Sequence, residues 1–226
     1  MREYESPSSC YTYDHCPQKY KFRYIDKLPD PSGPAAQLGI AFEDIVYPLW
    51  NERAYKEQED MKMDGMLRCL FSDIKVQKLA NHKSTQNKID VPCGDSRLVG
   101  YLDMLHEDNS ITDLKTSKNP WDTKKLSETQ QHIAYPYGAM KMGLIPNVFP
   151  VIFRYLIVTT DSAAKIQIIE LKITEEDFKE YERSFYERIK KIQLDIFPTK
   201  RNYECNWCPY KRLCPAWTVK PALFII

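Results

Sequence analysis

The chemistry this chain could do is concentrated in a few short runs. In Arg97–His106, RLVGYLDMLH, Asp103 interrupts a nearly continuous apolar pattern. A charge in such a strand is costly unless something compensates it. In Ser110–Thr116, SITDLKT, Asp113 and Lys115 alternate with apolar neighbours. Alternate strand residues share a face, so these two side chains point the same way, about 6.5–7 Å apart. The HEDN between the runs reads as a hairpin turn. If that turn centres on Asp108, Asp103 lies opposite Asp113. Facing carboxylates repel. A divalent cation between them reverses the sign, and a neighbouring lysine softens it. An isolated Asp-x-Lys is common on salt-bridged surfaces, but the apolar flanks here argue against a solvated face.

A second constellation is Cys205-Asn-Trp-Cys208-Pro-Tyr-Lys-Arg-Leu-Cys214, followed by Pro215. Three thiols at that spacing are metal-ligand spacing, and a structural zinc or an iron–sulfur cluster needs a fourth. Cys10 and Cys16 (followed by Pro17) are both candidates. Either would staple the start of the chain to its end and close a very long loop. Cys69 and Cys93 have no partner spacing. Two further groups share helical faces: Glu43, one turn after Gly39, and Gln131 with Tyr135. Spacing alone does not separate them from ordinary helix residues.

The elements that must hold these groups follow from periodicity. Residues 8–26 read as a helix with a blemish at Pro17, and 29–34 as a loop. Residues 35–57 read as a helix that Pro48 should kink or end, and 64–82 as another. The strands 97–106 and 110–116 follow, then a helix over 122–142 with Pro136 inside it. Strands over 149–159 and 165–172 precede an amphipathic helix over 174–194, where Thr174 and Asp177 resemble a capping box. Residues 203–217 read as irregular. Helices, then a sheet interrupted by a helix, indicate an α/β domain with a metal-bound flap.

Composition narrows the class. The chain has 226 residues, 43% hydrophobic and 28% charged, which excludes disordered and collagen-like classes. That length suits one large domain, and we read residues 1–226 as one. No apolar run approaches a membrane span, and the first ten residues lack the apolar core of a secretory signal. We therefore expect a cytoplasmic protein without a membrane partner. Seven cysteines in a reducing compartment favour metal over disulfides. The formal net charge of +1 excludes a globally basic nucleic-acid binder, but a local basic groove remains open. Lys19, Lys21, Arg23 and Lys27 alternate with aromatics; Lys115, Lys118, Lys124 and Lys125 follow the hairpin; Lys200, Arg201, Lys211 and Arg212 surround the cysteines. Cations interleaved with aromatics suit a single strand.

Taken in order, these motifs resemble the RecB-like branch of the PD-(D/E)XK nucleases, which includes AddB-type nuclease domains, exonuclease V and CRISPR-associated RecB-like exonucleases. The resemblance spans about Ser8 to Pro215. It rests on Cys16-Pro17, Gly39 to Glu43, Gly100-Tyr101-Leu102-Asp103, Asp113-Leu114-Lys115-Thr116, Gln131 to Tyr135, and the three late cysteines. Glu43 stands where many members carry a metal-ligating His; a carboxylate can serve a hard cation in its place.

The resemblance implies a restriction-endonuclease-like α/β core over about 35–195, with a central mixed sheet flanked by helices. It implies Mg2+ or Mn2+ held by Glu43, Asp103, Asp113 and the Leu114 carbonyl. It also implies Lys115 at the attacking water, with Gln131 and Tyr135 orienting the site. Cys16, Cys205, Cys208 and Cys214 would hold a structural 4Fe-4S cluster, with Zn2+ as the alternative, in segments 8–27 and 203–217. Lys19, Arg23, Lys118, Lys211 and Arg212 would bind nucleic acid. The expected activity is exonucleolytic cleavage of single-stranded DNA or DNA ends. The alternatives are a non-catalytic nucleic-acid-binding module with a structural zinc, or an endonuclease on the same fold. No phosphate-binding helicase loop of the G-x-x-x-x-G-K-(S/T) type occurs. The nuclease would therefore stand alone or work beside a helicase or recombination partner.

Overall fold

A computed structural model describes residues 2–31, 33–52, 55–79, 82–160 and 163–218. Ser6 caps the first helix, α1 (Pro7–His15), in a capping box with Ser9, and Pro7 occupies the first turn. Cys16 then takes an extended backbone, φ −158° and ψ 101°, ending α1 and starting α2 (Pro17–Tyr20). Pro17 therefore restarts the helix rather than kinking it, because its missing N–H costs nothing in a first turn. A π-helical turn, Lys21–Ile25, completes what periodicity alone reads as one helix.

Next come α3 (Pro34–Glu52), α4 (Met61–Ser72) and α5 (Ile74–Leu79). Pro48 does not end α3. The expected helices 35–57 and 64–82 touch residues 53–54 and 80–81, which lie outside the described residues. The sheet is β1 (His82–Cys93), β2 (Ser96–His106), β3 (Ile111–Ser117), β4 (Val151–Thr159) and β5 (Ile166–Ile173), in that spatial order. All neighbours are antiparallel except β3 and β4, which are parallel. That parallel step needs a crossover. It is made through α6 (Thr123–Ser127) and α7 (Gln131–Lys141). The break at Glu128–Gln130 divides the single helix expected over 122–142, and Pro136 sits inside α7. A final long helix, α8 (Glu175–Gln193), has the Thr174–Asp177 capping box. A 3-10 turn (Tyr203–Asn206) and α9 (Pro215–Thr218) punctuate the cysteine-rich end.

The sequence reading lacks β1. Its outer half is polar and only partly buried, and Ile89, Val91 and Cys93 alone are fully buried among its residues. As an edge strand it tolerates Pro92. Gly94, at φ +59°, makes the tight turn back into β2.

Each face of the sheet has its own core. Tyr13, Tyr20, Tyr137, Phe153, Tyr155 and Phe185 pack beneath α1, α7 and α8, while Phe42, Trp50, Leu67, Met104, Leu114 and Leu156 pack beneath α3 and α4. The first of these is tightly fitted where α7 crosses β1. A Cβ at Gly138 would overlap the Ile89 side chain. Gly138→Ala should cost about 1–3 kcal/mol through overpacking, read as a lowered thermal midpoint; an unchanged midpoint would mean that the two elements pack more loosely than described.

The two chain ends meet. Tyr13 donates to the Ile196 carbonyl at 2.7 Å, Asn202 donates to the His15 carbonyl at 3.1 Å, and Lys19 pairs with Glu204 at 3.0 Å.

Candidate active site

The β2–β3 ladder sets the geometry. Its paired rungs are Leu105 with Ile111 and Met104 with Thr112, so the turn does centre on Asp108. The next rung would set Asp103 opposite Asp113, but the backbone pairing ends there. Asp103 Oδ2 instead accepts the Leu114 N–H at 2.8 Å, and Gln86 of β1 donates to its other oxygen at 3.3 Å. The side chain of Asp103 therefore stands in for the missing strand carbonyl and holds open the gap between β2 and β3. Both carboxyl-bearing residues are buried, Asp113 at 1% exposure and Asp103 at 7%.

Lys115 Nζ lies 2.6 Å from Asp113 Oδ2 and donates to the Leu114 carbonyl at 3.3 Å. Asp113 Oδ1 is buried without a hydrogen-bond partner among the described residues. Burial pushes the Asp113 carboxyl up from its ordinary value; Lys115 opposes this, while Asp103 and Glu43 add to it. Burial works against the Lys115 ammonium, but Asp113 and Asp103 outweigh it and hold the group charged.

Glu43 arrives from α3. Gly39, one turn earlier, lets α3 approach β3: a Cβ there would stand 3.1 Å from Thr116 Oγ1. Burial, with Asp103 close by, lifts the Glu43 carboxyl to about 7. From the opposite face, α7 supplies Gln131 and Tyr135, joined by a 3.0 Å hydrogen bond from the Gln131 amide to the Tyr135 hydroxyl. Gly100 makes room for that tyrosine, since a Cβ would come within 2.9 Å of its ring. Burial and then Asp113 push the Tyr135 hydroxyl up.

Two residues of this neighbourhood were missed in the sequence. Tyr47 is one turn beyond Glu43; its buried hydroxyl is held strongly protonated by burial and by Asp103, Glu43 and Asp113. Its i+4 spacing from Glu43 was the available signal. Gln86 lies on the overlooked β1, at φ +53°.

Among the described residues, no set of three His, Cys, Asp or Glu side chains is closed tightly enough to hold a metal ion. What fits a cation is the donor chemistry: a buried oxygen on Asp113 unpartnered among the described residues, with the Asp103 and Glu43 carboxylates adding to the Asp113 carboxyl's affinity for positive charge.

Cys16, Cys205, Cys208 and Cys214 line one small cavity, with Lys19 and Lys211 at its wall. Cys10 does not belong to it. That residue is fully buried in the core, and burial pushes its thiol up to about 12. Of the expected nucleic-acid contacts, Lys19 is paired with Glu204 and Arg23 with Asp30. Lys118 and Arg212 are exposed, and Lys211 lies over the Trp217 ring at 4.6 Å.

Comparison with known proteins gives three results. A model of the PD-(D/E)XK nuclease superfamily matches residues 46–215. The fold is similar to a candidate exonuclease from Eubacterium rectale, with TM-score 0.64 and 14% identity over 97% of this chain and 90% of that one. It is also similar to the crystal structure of SSO0001, with TM-score 0.50 and 14% identity over 97% and 89%. No curated protein matches the chain. Among the described residues, no helix is long and apolar enough to cross a membrane.

Proposed function

We propose that this chain, which belongs to the PD-(D/E)XK nuclease superfamily, is a metal-dependent deoxyribonuclease that degrades single-stranded DNA or DNA ends, in recombination, repair or phage DNA processing. The observation that carries this reading is the buried Asp113 carboxylate, ion-paired to Lys115 on one oxygen and without a hydrogen-bond partner on the other. A structural role would have satisfied that oxygen, because leaving a buried acceptor unpaired is costly. The similarity to a candidate exonuclease accords with an exonucleolytic mode.

In this mechanism Glu43, Asp103, Asp113 and the Leu114 carbonyl would hold one or two Mg2+ or Mn2+ ions. When bound, such an ion supplies Lewis acidity toward the scissile phosphate. Lys115 keeps its proton under the field of two carboxylates and presents a fixed positive charge to the phosphate in the transition state. Gln131 holds the Tyr135 hydroxyl, which borders the same site. Asp103 keeps β2 and β3 apart through its bond to the Leu114 N–H, so its loss would let the gap collapse as well as remove a ligand. The four cysteines around one cavity would hold a 4Fe-4S cluster, or zinc, in a structural role.

Digestion of end-labelled single-stranded and duplex DNA with Mg2+ and with Mn2+ tests the activity. The reading predicts ion-dependent shortening from an end; no cleavage with either ion would refute it. Glu43 gives a second test. Glu43→Ala should lower cleavage by about 100-fold or more, while Glu43→His should retain part of it with an altered choice of ion. Equal rates for all three proteins would make Glu43 a bystander.

A further inference from the structure

We propose that Tyr203 and Trp207 form a stacking platform for the bases of a single DNA strand leading to the active site. The inference rests on the nuclease reading and names the substrate form that the site is built to receive.

Tyr203 and Trp207 lie one turn apart in the cysteine-rich segment, with ring centroids 6.5 Å apart and planes at 73°. Trp207 is 75% exposed and Tyr203 46%. An isolated exposed aromatic needs no explanation, but this pair is held in place. The Tyr203 hydroxyl donates to Glu128 at 2.8 Å, and its ring meets the His15 ring edge-on at 5.9 Å. Trp207 N–H bonds the Glu204 carbonyl at 3.0 Å, which fixes the turn that carries it.

Charge complements the rings. Lys124, on the exposed helix α6, lies over one face of the Tyr203 ring, 4.8 Å from its centroid, which leaves the other face and the Trp207 ring for bases. The acids nearby are engaged: Glu128 accepts from Tyr203 and pairs with Lys125, and Glu204 pairs with Lys19. The open faces of these rings, with an ammonium that has no ion pair among the described residues, suit splayed bases and their phosphates. A duplex offers no base faces except at its ends.

The platform is also close to the chemistry. Glu128, which anchors Tyr203, precedes Gln131 by three residues, so their Cα atoms are at most about 11 Å apart. Gln131 bonds Tyr135, which borders Asp113 and Lys115. A strand stacked on Tyr203 would thus be within a few nucleotides of the scissile position.

The test is binding in EDTA, where no cleavage occurs, measured by fluorescence anisotropy. The probes are labelled oligo(dT) of about sixteen nucleotides, an abasic tract of equal length, and a blunt duplex. Wild-type protein should prefer oligo(dT) to the abasic tract. Trp207→Ala should weaken oligo(dT) binding by about ten-fold and largely erase that preference, while Trp207→Phe should keep most of it. Oligo(dT) should also quench the tryptophan emission of the wild type more than that of Trp207→Phe, which covers the case of a Trp207→Ala protein that fails to fold. The proposal is overturned if wild type does not distinguish oligo(dT) from the abasic tract, if folded Trp207→Ala binds oligo(dT) as wild type does, or if the duplex is the preferred probe. The nuclease reading is judged separately by cleavage with added ions, so either can fail alone.

Discussion

Replacing Asp113 by Asn should remove ion-dependent DNA cleavage, by about three orders of magnitude or more, while the protein should stay folded and melt at a higher temperature near pH ~8. The two effects have one cause. Asp113 is buried, with Asp103 and Glu43 acting against its charge and the Lys115 ammonium offsetting it. Its negative charge destabilises the ion-free fold and is the charge that an ion requires. The sign can be followed through pH. Glu43 is lifted from 4.5 to about 7, and Asp113 is also raised from its usual 3.8. Between about pH 4 and 7 the native protein therefore holds more protons than the unfolded chain, and ion-free stability falls as pH rises through that window. Thermal melts in EDTA should show that decline in wild type and a shallower one in Asp113→Asn. Adding Mn2+ near pH ~7.5 should raise the wild-type midpoint and leave the variant nearly unmoved. Full activity in Asp113→Asn would remove the assignment.

Cys208→Ala has the second-largest expected effect. If the four cysteines around the cavity share a cluster, they close a loop of nearly the whole chain, and breaking it should cost roughly 3–5 kcal/mol. For a protein of this size that lowers the midpoint by about 10 °C. Anaerobically purified wild type should carry iron and absorb in the visible range, and Cys208→Ala should lose both. Cys69→Ala is the control: its thiol donates to the Ala164 carbonyl, away from the cavity, and metal content should not change. Stoichiometric zinc in place of iron would select the alternative metal; neither metal in the wild type would overturn the cluster.

The central hairpin was legible because its acids break an apolar alternation, which only a compensated charge can do. The register, centred on Asp108, followed from the turn. Asp103's bond to the Leu114 N–H was not legible, since nothing local says where a ladder stops. Strand β1 was hidden by polar outer residues, and with it Gln86. Helical spacing carried across Cys16-Pro17 and across Glu128–Gln130 as if the backbone were continuous, because side-chain period does not register a single extended residue. Where the two early thiols lie was not legible from spacing: Cys16 is at the cavity and Cys10 is in the core. The pairing of Lys19 with Glu204 and of Arg23 with Asp30 was not legible, because the fold brings those partners in.

The most direct measurement is a crystal of the protein grown with Mn2+ and recorded for anomalous scattering. The account predicts a peak in the gap between β2 and β3, about 2.0–2.6 Å from oxygens of Asp103, Asp113 and Glu43. A fully bound ion elsewhere, with those three carboxylates left without it, would contradict the account.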